Sequence, residues 1–121
     1  MRLHVAVVGL SLLLLAASVS PARADARSAA KAEAQFGIDV AQRGLWREAI
    51  YRWERAIELD PTYAPAFNNL AVAYEHEGQL DKARQAYEKA IALEPQNVQI
   101  RQNYDLFKEI NDRAVEDKDK P

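Results

Sequence analysis

The sequence predicts an all-α fold in which two helical hairpins and a closing helix stack into a short superhelix. Three observations lead to this prediction: two consecutive segments of equal length resemble each other, amphipathic stretches of helical period fill each copy, and glycine and proline recur where helices should end. Such repeats are typical of solenoids, in which each unit buries its apolar face against the next.

The internal repeat is evident when residues 30–63 are placed over residues 64–97. Nine positions are then identical, and they are Ala30/Ala64, Ala32/Ala66, Gly44/Gly78, Ala49/Ala83, Glu54/Glu88, Ala56/Ala90, Ile57/Ile91, Leu59/Leu93 and Pro61/Pro95. Trp53 and Tyr87 also occupy matching positions, where a large side chain should fill the space between layers. The two copies together run from Ala30 to Asn97 and account for more than half of the chain.

Each copy is predicted to form a hairpin of two helices. Gly44 and Gly78 stand where the first helix should end, because the turn that follows requires a positive φ that glycine adopts at little cost. Pro61 and Pro95 stand where the second helix should end, since proline cannot continue the hydrogen-bond ladder. Small residues at matching positions should let the paired helices approach closely, and they are Gly37, Ala49, Ala71 and Ala83.

The second copy resembles the tetratricopeptide repeat (TPR) family at almost every signature position. Those positions are Phe67, Leu70, Ala71, Tyr74, Gly78, Ala83, Tyr87, Ala90 and Pro95. The first copy departs from the family pattern at Glu33 and Val40, where aromatic residues are usual, and both departures suit an end repeat with no layer before it. The resemblance implies a superhelix in which the first helix of each hairpin lines a concave groove that receives a peptide or helix of a partner protein.

A third copy begins at Val98 but is not completed, because no second helix follows it. We predict instead a single closing helix over residues 98–113, with Asn97 as its N-cap. The folded domain is then expected to span residues 25–113. A charged, frayed tail is expected over residues 114–121.

The N-terminal segment, residues 1–24, has the pattern of a signal peptide that is removed on export. Arg2 provides a positive charge, an apolar run follows from Val5 to Ala17, and Ala22-Arg23-Ala24 matches the small-x-small cleavage pattern. We predict cleavage after Ala24 and a periplasmic location in a bacterium. A retained membrane anchor is the alternative, although the run is shorter than the roughly 20 residues that span a bilayer.

Composition and charge argue against several classes of protein. The chain has no cysteine, which excludes disulfides, thiol catalysis and thiolate metal sites. Its formal charge is −2, and an acidic balance does not favour binding to nucleic acid. The two histidines are His4 and His76, and His76 is interpreted as a solvated residue near a helix C-terminus rather than a metal ligand. We therefore expect no enzyme, no cofactor and no metal site.

The resemblance assigns a partner-binding groove to nine residues. They are Ala34, Ile38, Ala41, Asn68, Asn69, Val72, Glu75, Gln99 and Gln102. Some family members clamp a partner's terminal carboxylate with a set of cations and amides, and in this chain Asn69 alone matches that set. A neutral, partly apolar groove of this kind is suited to an amphipathic helix or an extended segment.

Two aromatic residues lie off or at the edge of the predicted core pattern. Trp46 precedes the second helix of the first copy, at the position where a hydrophobic staple is expected. Tyr51 lacks a structural role of that kind and is a candidate for a second contact surface.

Together these features predict a non-catalytic protein–protein interaction module, an adaptor or assembly factor in the bacterial cell envelope. Two repeats and one helix are fewer than the roughly three repeats that isolated arrays need. Self-association, as a homodimer or a larger structural oligomer, is therefore an alternative. A membrane-anchored form is a further alternative if the N-terminal segment is retained.

Overall fold

The computed structural model describes residues 18–118, and within that range the chain forms five α-helices and no β-strand. The helices are α1 (Pro21–Gln42), α2 (Trp46–Leu59), α3 (Ala64–His76), α4 (Leu80–Leu93) and α5 (Val98–Lys118). α1 pairs with α2 and α3 with α4, while α2 packs on α3 and α4 packs on α5. The predicted all-α superhelix of two hairpins and a closing helix is confirmed.

Both hairpins turn at a glycine in the left-handed conformation. Gly44 has φ 77° and Gly78 has φ 73°, as the repeat pattern predicts. The next backbone N–H in each turn then reaches back to the helix, from Leu45 to the Val40 carbonyl at 3.0 Å in the first repeat. These bonds satisfy carbonyl groups that the helix end would otherwise leave unpaired, which explains why the two turns have the same form.

The core of each hairpin matches small residues to large ones. Alanine fills most positions between the helices, and Trp53, Tyr87 and Phe107 are at most 3% exposed. The Trp53 Nε1 atom donates a hydrogen bond to the Ala34 carbonyl oxygen at 3.0 Å. A Cβ atom at Gly37 would lie 2.5 Å from that nitrogen. The close helix approach predicted at Gly37 is therefore confirmed.

The loop between the two repeats is fixed by a buried carboxylate that the sequence pattern did not reveal. Asp60 accepts hydrogen bonds from the Thr62 backbone N–H at 2.9 Å and from the Thr62 hydroxyl at 2.6 Å. Arg27 on α1 donates to the other carboxylate oxygen at 3.1 Å. The Thr62 hydroxyl above all, with the Thr62 N–H and Arg27, holds the pKa of Asp60 below its usual value although desolvation acts in the opposite direction.

The closing helix starts where it is predicted to start and ends later. The Asn97 side chain accepts a hydrogen bond from the Ile100 N–H at 3.2 Å, so the predicted N-cap is confirmed. The helix continues to Lys118, beyond the predicted end at Arg113. Neither glycine nor proline interrupts this stretch, and an ion pair between Arg113 and Glu109 at 2.9 Å spans one of its turns. Residues 119–121 of the predicted tail lie outside the described residues.

The N-terminal helix begins before the predicted start of the folded domain. Ser20 caps α1 by accepting a hydrogen bond from the Arg23 N–H at 3.3 Å, and Pro21 is the first helical residue. The helix therefore runs through the predicted cleavage position after Ala24. Residues 1–17, which contain the apolar run of the predicted signal peptide, lie outside the described residues. Between residues 18 and 118 no helix is long and apolar enough to cross a membrane.

Candidate partner-binding groove

An open groove of about 420 Å³ lies where α1, α2, α3 and α5 meet. Its lining residues are Ile38, Ala41, Gln42, Trp46, Trp53, Asn68, Asn69, Val72 and Asn103. Ile38 and Val72 occupy equivalent positions one repeat apart, so the period of the repeat places both on the same side of the superhelix. We call this surface the uncharged groove, because none of the nine side chains that line it carries a formal charge.

Five of the nine predicted groove residues line this surface, and they are Ile38, Ala41, Asn68, Asn69 and Val72. Ala34 does not line it, because this residue lies in the core between α1 and α2, where its carbonyl oxygen accepts the hydrogen bond from Trp53. Glu75 does not line it either, since its carboxylate accepts a hydrogen bond from the Tyr87 hydroxyl at 3.2 Å on α4.

The last two predicted residues, Gln99 and Gln102, lie on α5 outside the lining. Gln99 nevertheless supports the groove, because its side-chain Nε2 donates to the Asn103 Oδ1 at 3.0 Å. Asn103 in turn donates from Nδ2 to the Asn68 Oδ1 at 3.1 Å. This pair of amides connects α5 to α3 across the floor of the groove, so the closing helix supplies one of the groove walls.

Asn69 differs from Asn68 because its amide has no hydrogen-bond partner within residues 18–118. The side chain is half-buried at the lining of the uncharged groove. A half-buried amide of this kind can both donate and accept hydrogen bonds to a ligand. Asn69 and the exposed Gln42, whose amide also has no hydrogen-bond partner within residues 18–118, are therefore the polar groups of the groove that are available to a partner.

Trp46 has a different role from the one predicted for it. It is the first residue of α2, with Leu45 at the N-cap position, so the prediction of a hydrophobic staple before the helix is wrong. Its indole stacks on the His76 ring with the centroids 4.2 Å apart. Trp46 thus lines the uncharged groove, and His76, the exposed last residue of α3, packs against it from outside the lining. The side chain of Tyr51 is 55% exposed, as its candidate role requires.

Four lining residues lay outside the predicted set, and they are Gln42, Trp46, Trp53 and Asn103. A shift of one repeat relates Gln42 to His76 and Asn69 to Asn103. The periodicity could therefore have added Asn103 to the prediction. The sequence pattern assigned Trp53 to the core alone. The structure confirms that it is almost fully buried, yet part of it also lines the groove.

The carboxylates and the histidine of the described region are dispersed. Within residues 18–118 no group of three or more His, Asp and Glu side chains is arranged to hold a metal ion. The carboxylates of Glu33, Glu48 and Asp60 are engaged by arginine side chains. The geometry of the uncharged groove is suited to non-covalent contact with apolar and amide-bonding groups.

The comparisons with known proteins agree with the repeat. The family model described as "Tetratricopeptide repeat" matches residues 64–97, and a second model described as "TPR repeat" matches residues 40–78. The type IV pilus assembly protein PilF of Pseudomonas aeruginosa is 34% identical over 73 residues, which are 60% of this chain and 29% of PilF. The chain thus spans less than a third of that relative's length.

Two further similarities extend over more of the matched protein. An uncharacterized protein of Methanocaldococcus jannaschii is 33% identical over 58 residues, which are 48% of this chain and 67% of that protein. The crystal structure of MamA aligns with a TM-score of 0.64 and 33% sequence identity over 73% of this chain and 53% of MamA. With two helical hairpins of the family's length and signature, the chain belongs to the tetratricopeptide repeat family.

Proposed function

We propose that the protein is a non-catalytic interaction module that works as an adaptor or assembly factor in the bacterial cell envelope. The observation that carries this proposal is the uncharged groove, with an apolar wall and an amide at Asn69 that no neighbour engages within the described chain. A surface of this kind gains free energy when a partner covers it, because apolar area leaves water and the amide finds a hydrogen bond.

The lining of the groove suggests the chemistry of its occupant. Ile38, Ala41 and Val72 offer aliphatic contact, while Gln42 and Asn69 offer amides. Without cations in the lining, a terminal carboxylate has no charge-assisted partner there. An amphipathic helix or an extended segment with aliphatic side chains on one face fits this lining.

Two observations support the envelope location and the assembly role. Residues 1–24 have the sequence pattern of an export signal, and removal after Ala24 would leave a mature chain that begins at Asp25. The similar PilF protein of Pseudomonas aeruginosa is named as a type IV pilus assembly protein. If residues 1–24 are retained, the same module would act while attached to the membrane.

A self-associating oligomer is the second candidate function. Leu106 and Ile110 favour it, because these two aliphatic side chains on α5 are 58% and 54% exposed and lie one helical turn apart. The opposite end of the superhelix disfavours end-to-end stacking. There, Arg52 covers the Phe36 ring and forms ion pairs with Glu33 and Glu48, so the outer layer is charged.

Site-specific crosslinking tests the proposal. A photo-crosslinking amino acid in place of Val72 should give a specific adduct in an envelope fraction of the source cells. The change Ala41→Arg should abolish this adduct by placing a charge in the groove. The matched change Ala92→Arg, at an exposed position on α4 outside the groove, should leave it intact.

The same experiment separates the two candidates. An adduct that contains a second copy of this chain, together with concentration-dependent sedimentation, would replace the adaptor by the oligomer. If no specific adduct forms and the protein sediments as a monomer, the groove is not a partner site.

A further inference from the structure

A second groove, of about 340 Å³, lies between α3 and α4. Its lining residues are Phe67, Leu70, Tyr74, Lys82, Gln85, Ala86 and Lys89. We call it the lysine groove, because Lys82 and Lys89 are its charged side chains. Its floor is formed by the apolar and aromatic residues of α3.

The lysine groove and the uncharged groove use opposite sides of α3. The lysine groove is lined by Phe67, Leu70 and Tyr74, and the uncharged groove by Asn68, Asn69 and Val72. At about 100° per residue the two sets point in nearly opposite directions from the helix axis. A ligand in one groove therefore does not occupy the other.

The first repeat carries a different charge pattern at the same surface. A shift of one repeat places Arg52 at the position of Ala86 and Phe36 at that of Leu70. The Arg52 guanidinium lies 4.2 Å from the centroid of the Phe36 ring. It also forms ion pairs with Glu33 at 3.3 Å and Glu48 at 2.8 Å. A long charged side chain of the chain itself thus lies over the Phe36 ring, with two carboxylates to neutralise it.

The second repeat changes the charge of this surface, while Lys89 takes the place of another cation, Arg55. Ala86 replaces Arg52 and is itself buried, so the accessible apolar surface of the groove belongs to the half-buried Phe67 and Tyr74. Lys82 stands at the position of Glu48, and Phe67 at that of Glu33. Lys82 lies 5.6 Å from the Tyr74 ring centroid. Neither lysine of the groove has an ion-pair partner within residues 18–118.

We propose that the lysine groove is a second docking surface, which binds an acidic segment of a partner protein. An apolar side chain of that segment covers Phe67 and Tyr74, and its carboxylates approach Lys82 and Lys89. The two lysines without ion-pair partners identify this occupant, and Lys82 stands where the first repeat has Glu48, which binds a cation.

The spacing of the lysines defines the segment further. Lys82 and Lys89 are seven residues apart on α4, which is roughly 10 Å along the helix axis. Two carboxylates four residues apart on an extended chain point to the same side and are roughly 13 Å apart, a difference that the long lysine side chains can span. Glu54 lies at the edge of the groove, because its carboxylate accepts a hydrogen bond from the Tyr74 hydroxyl at 3.0 Å. Its negative charge therefore weakens, but does not neutralise, the attraction.

The test uses the peptide Gly-Glu-Ser-Phe-Ser-Glu-Gly with blocked ends, in which both carboxylates and the ring face one side of an extended chain, as a probe in an NMR titration of the isotope-labelled protein. We expect amide shifts concentrated on Phe67, Tyr74 and the segment 82–89. The double change Lys82→Glu with Lys89→Glu should lower the affinity by about fivefold or more, because each exposed pair contributes modestly. The matching peptide with glutamine in place of glutamate should bind as weakly as that variant.

Control variants distinguish binding at the lysine groove from nonspecific attraction by the charge of the whole protein. The double change Lys31→Glu with Arg101→Glu alters two exposed cations outside the groove and should leave the affinity within about twofold. The change Glu54→Gln should raise it, since the carboxylate at the edge is removed. Equal losses for both double variants, or shifts scattered over the surface, would overturn the proposal.

Two other occupants would also overturn it. Vesicles of phosphatidylglycerol that are bound through Lys82 and Lys89, while the peptide is not, would identify an anionic lipid surface. Sedimentation that becomes concentration-independent when both lysines are reversed would identify a second copy of this chain. The result does not depend on the uncharged groove, because Ala41→Arg should leave peptide binding unchanged.

Discussion

In the first repeat a tryptophan, Trp53, occupies the position at which the second repeat has Tyr87, and the small residue that matches it changes from Gly37 to Ala71. The polar atom of each buried ring is satisfied differently, in Trp53 by the backbone carbonyl of Ala34 and in Tyr87 by a glutamate side chain. The comparison shows that the same hairpin can be packed in two ways, with tryptophan opposite glycine or with tyrosine opposite alanine. In each case the large residue and the small residue must match, because the core is closely packed.

Gly37→Ala is the change expected to have the largest effect on the first repeat. The new Cβ would lie between 2.5 and 2.9 Å from three atoms of the Trp53 indole, which is rigid and cannot yield at one end. Overpacking of this kind costs about 2 to 3 kcal/mol of unfolding free energy. Urea unfolding followed by circular dichroism would measure it.

The double change Gly37→Ala with Trp53→Tyr gives the first repeat the same pair of core residues, alanine and tyrosine, that the second repeat has. We expect the combined loss to be smaller than the sum of the single losses, because the smaller ring leaves room for the methyl group. The reciprocal control, Ala71→Gly, should cost about 2 kcal/mol, because helix propensity and the loss of a fully buried methyl group contribute about 1 kcal/mol each. Additive losses in the double variant would show that the two positions are not matched.

The loops that follow α2 and α4 also differ, in the number of hydrogen bonds that their acidic residue accepts. Asp60 in the first loop accepts three hydrogen bonds from Thr62 and Arg27, whereas its counterpart Glu94 accepts one from Asn97 at 3.1 Å. We therefore expect Asp60→Asn to cost about 2 kcal/mol. Glu94→Gln, the matched control, should cost less than about 0.5 kcal/mol. Equal losses would remove the distinction between the loops.

Asp60 also predicts how stability depends on acid. Because its pKa is lower in the folded protein, its contribution is present above its unfolded pKa, near the ordinary value of 3.8, and is lost as pH falls through the folded pKa. Asp60→Asn should reduce the acid-dependent part of the unfolding free energy. Thermal unfolding between pH 2 and 6 would measure this, and an unchanged profile would contradict it.

Apart from the control variants, Tyr87→Phe is the change with the smallest expected effect. It removes the hydrogen bond to Glu75 and should cost about 1 kcal/mol. Burial, with the charge of Glu75, raises the pKa of Tyr87 above its ordinary value of 10.0, and burial with Glu54 raises the pKa of Tyr74 to about 12. Folding stability should therefore fall above pH 10 as the unfolded tyrosines ionise, and fall less in the variant. If Tyr87→Phe lost as much stability above pH 10 as the unchanged protein, the ionisation of Tyr87 would not be the cause.

Local chemistry allowed most of the fold to be predicted from the sequence. Gly44, Gly78 and Asn97 act through the backbone within a few residues, so their roles as helix ends follow from position alone. The end of α5 was missed because it depends on the absence of a strong stop signal. Glutamate, lysine and alanine after Arg113 favour a helix as much as they favour a charged tail.

The grooves were harder to predict because they depend on how helices stack. Ala34 and Ile38 are one turn apart, yet one is buried against α2 and the other lines the uncharged groove. The resemblance to the family predicted which side of each helix faces the groove. It did not predict which residues on that side are accessible, because this depends on how the helices stack. The lysine groove was missed because the two copies were compared for what they share. Its signal is a difference, Glu48 against Lys82.

The hydrogen bond between the Asn103 and Asn68 side chains couples ligand binding in the uncharged groove to the docking of α5. Because α5 supplies a wall of the uncharged groove, a ligand that touches this wall binds more tightly to the state in which α5 is docked. By linkage, the ligand must then oppose fraying of α5 by the same free energy. A partner would therefore register in hydrogen exchange as slower opening of the closing helix, even where it makes no contact with that helix's outer side.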